Sequence, residues 1–227
     1  MLLTLTLALA AFASSASTPT RMKPDDVDID LSLLRTGDVI LQTSTSSQSP
    51  AIVVATASPY SHAAIVVVEG GKAFVVEAAG SVRKTPLQTF LQRGVDGRFT
   101  VLRHHDVDDA AGMRIARQAN KRVGTRYDAS FKRGNDALYC SELVATAFHD
   151  AGVDVGPWQK VSELHVDNPV VGALFEKRWR KHPACKGQQS SVACMAKLKD
   201  TEVITPAGLR DNDAFDVVVS TFPIGLR

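Results

Sequence analysis

Residues 138–148 read LYCSELVATAF, and this stretch decides the fold. Its apolar residues recur at the spacing of one helix face, and they are Leu143, Val144, Ala147 and Phe148. The pattern predicts an amphipathic helix with Cys140 in its first turn. Unpaired backbone N–H groups and the positive end of the helix dipole lie there, and both favour a thiolate over a thiol. Cys140 is therefore a candidate nucleophile; the alternative is a small buried residue that starts a core helix.

Length and charge limit the class of protein. The chain has 227 residues, of which 44% are hydrophobic, so it can bury a full core. We expect one domain over residues 31–227. The chain has 26 basic and 24 acidic residues and a net charge of +2, which argues against nucleic acid as a partner.

Residues 1–17, MLLTLTLALAAFASSAS, form a short apolar run that ends in small residues. This pattern is typical of a secretory signal peptide with cleavage near Ala16. The run is too short to span a bilayer comfortably. It predicts a periplasmic or secreted protein, in which residues 18–30 form a polar linker.

The chain has three cysteines. Cys185 and Cys194 lie close together in a polar stretch, within a segment at 180–212 that we expect to be appended to the domain. In an oxidising compartment they could close a short loop as a disulfide bond. Cys140 would then be a free thiol, either buried and inert or retained for its reactivity.

Two runs rich in β-forming residues, 61–68 and 73–78, flank a Gly-Gly pair at 70–71. They predict a β-hairpin with a two-residue loop. If Glu69 pairs with Lys72, every other pair in the hairpin is fixed, because side chains alternate between faces along each strand.

That register places Ala64 opposite Glu77. His62 shares a face with Ala64, so Glu77 is a diagonal neighbour of His62, about 7–8 Å away at Cα. Two long polar side chains can meet across that distance. A slip of one residue would place them on opposite faces.

The remaining predicted elements complete an α+β pattern. They are a strand at 39–41, a helix at 50–56, a strand at 99–103, a helix from 108 to 124, the cysteine helix to about 150, a loop at 157–168, a helix at 169–180 and a strand at 214–222.

The order of the motifs resembles the YiiX/YebB-like branch of the NlpC-type papain-like cysteine hydrolases, over about residues 34–168. The motifs in chain order are Gly37-Asp38, Tyr60-Ser61-His62, Glu77, Gly124-x-x-Tyr127-Asp128-x-x-Phe131 and Tyr139-Cys140-Ser141-Glu142-Leu143. The resemblance implies a circularly permuted papain-like fold, in which the histidine strand precedes the cysteine helix and an antiparallel sheet packs against that helix. The C-terminal segment has no counterpart in the resemblance.

In such a site Cys140 would be the nucleophile, His62 the base and acid, and Glu77 the group that orients the imidazole. A backbone N–H at Cys140 and the Tyr60 hydroxyl would hold the oxyanion. Each residue has a structural alternative: His62 as a hydrogen-bonded core histidine, Glu77 as a surface charge at a strand end, and Tyr60 as a packing residue.

The resulting hypothesis is an exported thiol hydrolase that cleaves an amide or ester bond through an acyl-enzyme. The resemblance implies a cell-wall peptide or an acylated molecule as substrate. One alternative is an acyltransferase of the lecithin:retinol acyltransferase-like type, which passes the same acyl group to an acceptor other than water. The other is a non-catalytic binding domain, whose Cys140 would react with iodoacetamide no faster than an ordinary thiol.

The other histidines lack metal-binding spacing to cysteines or carboxylates, so the sequence predicts no metal and no cofactor. A basic cluster ends the helix predicted at 169–180, and its members are Lys177, Arg178, Arg180 and Lys181. It is interpreted as a solvated helix end, or as a weak contact with an anionic envelope polymer or lipid headgroup. The oligomeric state stays open.

Overall fold

An eight-stranded sheet forms the centre of the computed structural model, which describes residues 29–223. The spatial order is β10-β5-β1-β2-β3-β4-β6-β7, and all neighbours are antiparallel except β6 and β7. A second, two-stranded sheet pairs β8 with β9. The strands are β1 (Val39–Ser44), β2 (His62–Glu69), β3 (Lys72–Ala79), β4 (Ser81–Pro86), β5 (Gly94–His104), β6 (Arg126–Tyr127), β7 (Ala137–Leu138), β8 (Gln159–Lys160), β9 (Glu202–Val203) and β10 (Phe215–Ser220).

Helices cover the sheet and confirm the predicted α+β class. In the described range they are α1 (Ser49–Thr56), α2 (Leu87–Leu91), α3 (Asp109–Lys121), α4 (Cys140–Asp150), α5 (Pro169–Arg178), α6 (Ser191–Leu198) and α7 (Pro206–Arg210). Between residues 29 and 223, none of these is both long and apolar enough to cross a membrane.

The hairpin of β2 and β3 has the predicted loop and register. Gly70 and Gly71 both have positive φ, 55° and 74°, as the tightest hairpin turns require. Ala64 pairs with Glu77, and the terminal pair next to the loop is also the predicted one. The two-residue loop therefore fixes which face of the sheet carries Glu77.

Helix α4 begins at Cys140, as predicted, and packs on β2, β3 and α3. Its four predicted core residues, Leu143, Val144, Ala147 and Phe148, are all fully buried. Burying a large apolar side chain contributes roughly 1.5–3 kcal/mol, so this face holds the helix firmly on the sheet. The first turn of α4 is thereby fixed relative to the start of β2.

The structure adds eight elements that the sequence did not indicate, the strands β4, β6, β7, β8 and β9 and the helices α2, α6 and α7. One of them, β8, lies within the stretch predicted as a loop, 157–168. The run 81–86 alternates poorly, since its buried positions are Val82 and Thr85 and the positions between them are charged. It forms a strand because Gly80, at φ 79°, turns the chain back so that β4 pairs with β3. The other predicted elements are present, with ends that differ by a few residues.

Cys185 and Cys194 form the predicted disulfide bond, and Cys140 is a free, buried cysteine. The disulfide packs with Trp179 and Leu198 in a small apolar cluster of its own. The segment predicted as appended, 180–212, contains α6, β9 and α7, and its strand β9 pairs with β8. The predicted signal peptide, and the linker up to residue 28, lie outside the described residues.

Candidate active site

Cys140 is the first residue of α4, and it is 3% exposed. Its sulfur receives backbone N–H hydrogen bonds from Ala63 at the start of β2 and from Ser141. The predicted placement of the cysteine at a helix N-terminus is therefore present, and strand β2 adds a further donor. Both contacts stabilise a negative charge on sulfur.

His62 is the first residue of β2 and contacts both predicted partners. Its Nε2 lies 2.8 Å from Glu77 Oε2, and its ring forms a hydrogen bond with Cys140. Because Glu77 occupies Nε2, Nδ1 is the ring nitrogen that faces the thiol. Phe90 stacks on the imidazole at 5.7 Å between ring centres, which further restricts the ring.

The thiol and the imidazole favour the ion-pair state. Burial opposes charge on Cys140, but the hydrogen bond and the charge of His62, with the two backbone donors, lower the pKa of the thiol below its usual value. Burial likewise opposes charge on His62, but hydrogen bonds with Cys140 and Glu77 raise its pKa to about 9. Both shifts favour the thiolate–imidazolium pair over the neutral pair.

Glu77 is fully buried, and its second oxygen, Oε1, is also occupied. Thr85 Oγ1 donates to it at 2.7 Å, Arg83 Nε donates at 3.2 Å, and Arg93 Nη2 also donates. Burial opposes the charge, but His62, Thr85 and Arg93 lower the pKa of Glu77 to about 2. The carboxylate thus remains ionised and fixed in orientation.

These supports were missed in the sequence because β4 and α2 were missed. Arg83 lies directly opposite Glu77 in the pairing of β3 with β4. Gly80, as a turn residue after β3, was the available local signal for that second hairpin. Arg93 follows α2, and no local pattern connects it to Glu77.

Tyr60, the predicted oxyanion donor, lies in the core. Its hydroxyl lies 2.9 Å from Thr100 Oγ1, and its ring packs edge-on against Phe222. The residue is 1% exposed. Its hydroxyl is therefore engaged in a packing contact, which agrees with the structural alternative.

A different tyrosine lies beside the thiol. Tyr127 on β6 pairs with Leu138 on β7, two residues before Cys140. Its hydroxyl oxygen accepts a 2.6 Å hydrogen bond from Gln48 Nε2. Burial, followed by the nearby charge of Cys140, raises the pKa of Tyr127 well above its usual value. The phenol is therefore protonated at neutral pH and has a proton to donate.

An apolar cavity of about 480 Å³ opens next to Cys140. This volume is in the range of small-molecule sites. Helices α1, α5 and α6 and the stretch 201–206 supply most of its walls. Its apolar lining residues are Ala51, Ile52, Ala55, Ala129, Phe131, Val161, Leu164, Val171, Leu174, Phe175, Met195, Leu198, Val203, Ile204 and Pro206.

The predicted basic cluster is divided by the fold. Lys177, Arg178 and Lys181 line the cavity. Arg180 does not line it, and its guanidinium lies 4.8 Å above the ring of Trp179. The sequence pattern favours a solvated helix end. In the structure three of the four members border the cavity beside the thiol.

A loop that contributes to the cavity wall, 128–136, is held by two carboxylates. Asp128 accepts hydrogen bonds from the backbone N–H groups of Ser130 and Lys132. Glu142, in the first turn of α4, accepts from the backbone N–H of Gly134 at 3.2 Å. Burial raises the pKa of Glu142 to about 7. The first turn of α4 therefore fixes this loop as well as the thiol.

Comparison with known proteins agrees with this arrangement. A family described as permuted papain-like amidase enzymes of the YaeF/YiiX type, C92, matches residues 33–219. The chain is 37% identical to the uncharacterized protein YiiX of Escherichia coli strain K12 over 192 residues, which cover 84% of this chain and 88% of that protein. It is also similar to the crystal structure of metalloprotein YiiX from Escherichia coli O157:H7, with a TM-score of 0.73 and 33% identity, over 83% of this chain and 98% of that one.

The matched region contains the whole sheet from β1, helix α4 and the cavity. The predicted order, a histidine strand before a cysteine helix, is the permuted order of that family. The chain belongs to the C92 family of permuted papain-like amidases and is a thiol hydrolase.

Proposed function

We propose that this enzyme hydrolyses the amide bond of an acylated substrate, with Cys140 as nucleophile, His62 as base and acid, and Glu77 as the orienting carboxylate. One observation carries the proposal: the thiol of Cys140 lies in the wall of an apolar cavity. An acyl chain in that cavity would bring its carbonyl carbon to the sulfur. Reacting groups held in this way gain the advantage of proximity.

The first half of the reaction forms a thioester. The Cys140 thiolate attacks the carbonyl carbon, and the carbonyl π electrons move onto oxygen. When the tetrahedral intermediate collapses, the C–N bond breaks, and Nδ1 of the His62 imidazolium gives its proton to the leaving amine. The amine leaves, and His62 is now neutral.

The second half consumes water. Neutral His62 removes a proton from a water molecule, whose oxygen attacks the thioester carbon. Collapse of this intermediate breaks the C–S bond, which releases the carboxylic acid and restores the thiolate–imidazolium pair. Glu77 keeps Nε2 of His62 as the donor to its carboxylate through both halves, because its own position is fixed by Thr85, Arg83 and Arg93.

Two donors are available for the oxyanion. The backbone N–H of Cys140 lies in the first turn of α4, where it has no acceptor within the helix. The Tyr127 hydroxyl accepts its bond from Gln48 and so retains its own proton for a second acceptor. We assign these two groups, instead of Tyr60, to the oxyanion hole.

The cavity favours an acyl chain over a cell-wall peptide. A peptide carries an amide N–H and C=O at every residue, and each needs a hydrogen-bond partner when it is buried. Aliphatic and aromatic residues make up more than half of the cavity lining. An aliphatic chain gains free energy from the same surface by leaving water.

The crystallised YiiX is described as a metalloprotein, so the metal-binding groups of this chain bear on the mechanism. Among residues 29–223, one group of suitable side chains has its ligand atoms within 4.8 Å of one another: His182, Cys185 and Cys194. The two sulfurs are bonded to each other, whereas metal ligation needs thiolates. Both ring nitrogens of His182 are also engaged, by Ser130 O and the Ala184 N–H. In the oxidised protein these side chains therefore do not fit a metal ion, and the reaction above uses none of them.

Export is part of the proposal. The apolar run at residues 1–17 has the pattern of a signal peptide. The Cys185–Cys194 disulfide supports an oxidising compartment. Sequencing the N-terminus of protein recovered from the periplasm or medium should show a start near residue 17; an intact Met1 on cytosolic protein would contradict export.

The experiment for the reaction compares three amides at one enzyme concentration: N-lauroylglycine, N-acetylglycine and a muropeptide. N-lauroylglycine should be hydrolysed to laurate and glycine, N-acetylglycine should react far more slowly because it leaves the cavity empty, and Cys140→Ala should show no turnover. Mass spectrometry of the products in ¹⁸O water should place one heavy oxygen in the laurate. Cleavage of a muropeptide with no cleavage of N-lauroylglycine would overturn the assignment of an acylated substrate.

A further inference from the structure

Arg178 connects the cavity wall to the proposed oxyanion donor. It is the last residue of α5, is half-buried and lines the cavity. Its Nη1 donates a 3.0 Å hydrogen bond to Gln48 Oε1. Gln48 Nε2 in turn donates a 2.6 Å hydrogen bond to the Tyr127 hydroxyl oxygen. Three side chains from three separate parts of the chain thus form one connected line.

The direction of every bond in this line follows from the arginine. A guanidinium has donors and no acceptor, so the side of the Gln48 amide that faces Arg178 must be its oxygen. The NH₂ of Gln48 must therefore face Tyr127. Because the Tyr127 oxygen accepts that N–H, its own O–H points away from Gln48 and remains available to another acceptor.

Without Arg178 this constraint disappears. The Gln48 amide could turn over and present its oxygen to Tyr127, which would then donate its proton to Gln48. In that arrangement the phenol offers no proton to an oxyanion. The guanidinium therefore keeps Tyr127 as a donor toward the site, although it does not touch Tyr127 itself.

The cavity also has a marked charge asymmetry. Its lining includes Lys177, Arg178 and Lys181 and contains no aspartate or glutamate. His182 also lines it, and both of its ring nitrogens are engaged, Nδ1 by the Ala184 N–H and Nε2 by Ser130 O.

Within residues 29–223, Arg178 forms no ion pair with a carboxylate, and its described polar partner is the neutral Gln48. Lys177 and Lys181 are exposed, whereas Arg178 is half-buried and fixed by its hydrogen bond to Gln48. The cation at the cavity wall that is both fixed and free of an acidic partner is therefore Arg178. An arginine in that state suits a carboxylate or phosphate group, to which it can donate two parallel hydrogen bonds.

We propose that Arg178 is a specificity-determining residue, which binds an anionic group of the acylated substrate and, through Gln48, holds the Tyr127 hydroxyl as an oxyanion donor. This inference rests on the proposed function, since it assigns the polar part of the same substrate. The substrate class is then a single acyl chain joined by an amide to an amine that carries a carboxylate or phosphate. Arg178 is a binding and positioning residue, and Tyr127 is the group that would contact the reacting atoms.

Binding tests the charge preference without turnover. Calorimetry on the Cys140→Ala protein should show tighter binding of N-lauroylglycine than of N-lauroylglycinamide, which has the same chain but no charge. A charge-assisted hydrogen bond makes a difference of roughly tenfold. Adding Arg178→Gln to this protein should remove that preference and leave the binding of the uncharged N-lauroylglycinamide unchanged. Arg180→Gln is the matched control, since Arg180 lies on the same basic turn but outside the cavity, and it should retain the preference.

Kinetics separates the two roles of Arg178. Gln48→Leu breaks the line to Tyr127 but keeps the positive charge of Arg178 at the cavity wall, so kcat should fall on both substrates while the charged substrate keeps the higher kcat/KM. Arg178→Gln should lower kcat on both N-lauroylglycine and N-lauroylglycinamide. It should also remove the difference in kcat/KM between them. Arg178→Lys should keep part of the preference in kcat/KM for the charged substrate, because lysine retains the positive charge.

Two results would overturn the inference: equal binding of the charged and neutral compounds by the Cys140→Ala protein, or an unchanged preference after Arg178→Gln. Failure of the proposed function has a different signature, because wild-type enzyme would then bind N-lauroylglycine yet release no laurate. The same calorimetric titration with N-lauroyl-phosphoethanolamine tests whether a phosphate can replace the carboxylate. This compound should bind at least as tightly as N-lauroylglycine if Arg178 recognises negative charge alone.

Discussion

His62 and Glu77 lie diagonally across the first hairpin, and their side chains meet at 2.8 Å. The consequence is a fixed tautomer and ring orientation for the imidazole, because a buried carboxylate takes Nε2 and leaves Nδ1 for the thiol. Glu77 can do this at neutral pH because its pKa is lowered to about 2. The geometry of the hairpin therefore determines which ring nitrogen faces the thiol.

The first prediction concerns alkylation of Cys140 by iodoacetamide across pH. In the wild type the thiol should react at its full rate at pH values well below 8.5, the ordinary midpoint of a cysteine, because His62 lowers its pKa. In His62→Ala the midpoint should rise to the ordinary value or above it, since burial then acts without a compensating charge. Glu77→Gln should give an intermediate midpoint.

Cys185 and Cys194 are bonded, so labelling reports on Cys140 alone, and Cys140→Ala supplies the blank. A midpoint near 8.5 in all three proteins would mean that no activated pair exists. The chain would then be better described as a binding domain on a papain-like scaffold.

The second prediction separates turnover from alkylation at high pH. The pKa of His62 is raised to about 9, so its imidazolium is present below that pH and is lost as the pH rises through it. Hydrolysis needs that proton for the leaving amine, whereas alkylation needs the thiolate alone. Above about pH 9 kcat should fall while the alkylation rate stays high. Parallel pH profiles for both rates would contradict His62 as the acid.

The sequence predicted the parts of the site that depend on local pattern. A Gly-Gly loop fixes the register of β2 and β3, so the diagonal relation of His62 and Glu77 could be worked out from residue numbers. The start of α4 followed from the spacing of its apolar face. The disulfide followed from two cysteines close together in an otherwise polar stretch.

The parts that it did not predict depend on contacts between distant segments. Arg93 reaches Glu77 across 16 residues, and Arg178 reaches Gln48 across 130. No periodicity connects such pairs. The expected oxyanion role of Tyr60 also depended on a distant contact. A tyrosine just before β2 can face either the thiol or the core, and Thr100 on β5, the second strand away from β2, engages its hydroxyl.

The third prediction distinguishes the two tyrosines. Tyr127→Phe should lower kcat by roughly 10²–10³-fold, the usual cost of losing one oxyanion donor, with little change in the KM for N-lauroylglycine. Tyr60→Phe should keep kcat and reduce the free energy of unfolding by about 1 kcal/mol, because it removes a buried hydrogen bond to Thr100. Denaturant unfolding of both variants checks that each is folded. The reverse pattern of kcat would return the oxyanion role to Tyr60.

The fourth prediction concerns the disulfide, whose segment supplies cavity walls but none of the proposed catalytic groups. Met195 and Leu198 on α6 line the cavity, and Leu198 packs on the Cys185–Cys194 bridge. Closing a loop of this length stabilises a protein by roughly 3 kcal/mol in the chain-entropy treatment, so Cys185→Ala with Cys194→Ala should loosen α6.

The double variant should therefore show a raised KM for N-lauroylglycine, an unchanged rate for N-acetylglycine, and an unchanged pH midpoint for Cys140 alkylation. Limited proteolysis should cut the variant near α6 before any other site. A loss of the short-chain activity, or a shifted alkylation midpoint, would mean that the bridge supports Cys140 and His62 directly. The distinction follows from the fold: α4 and β2 carry Cys140 and His62, whereas the disulfide-bonded segment supplies part of the cavity wall.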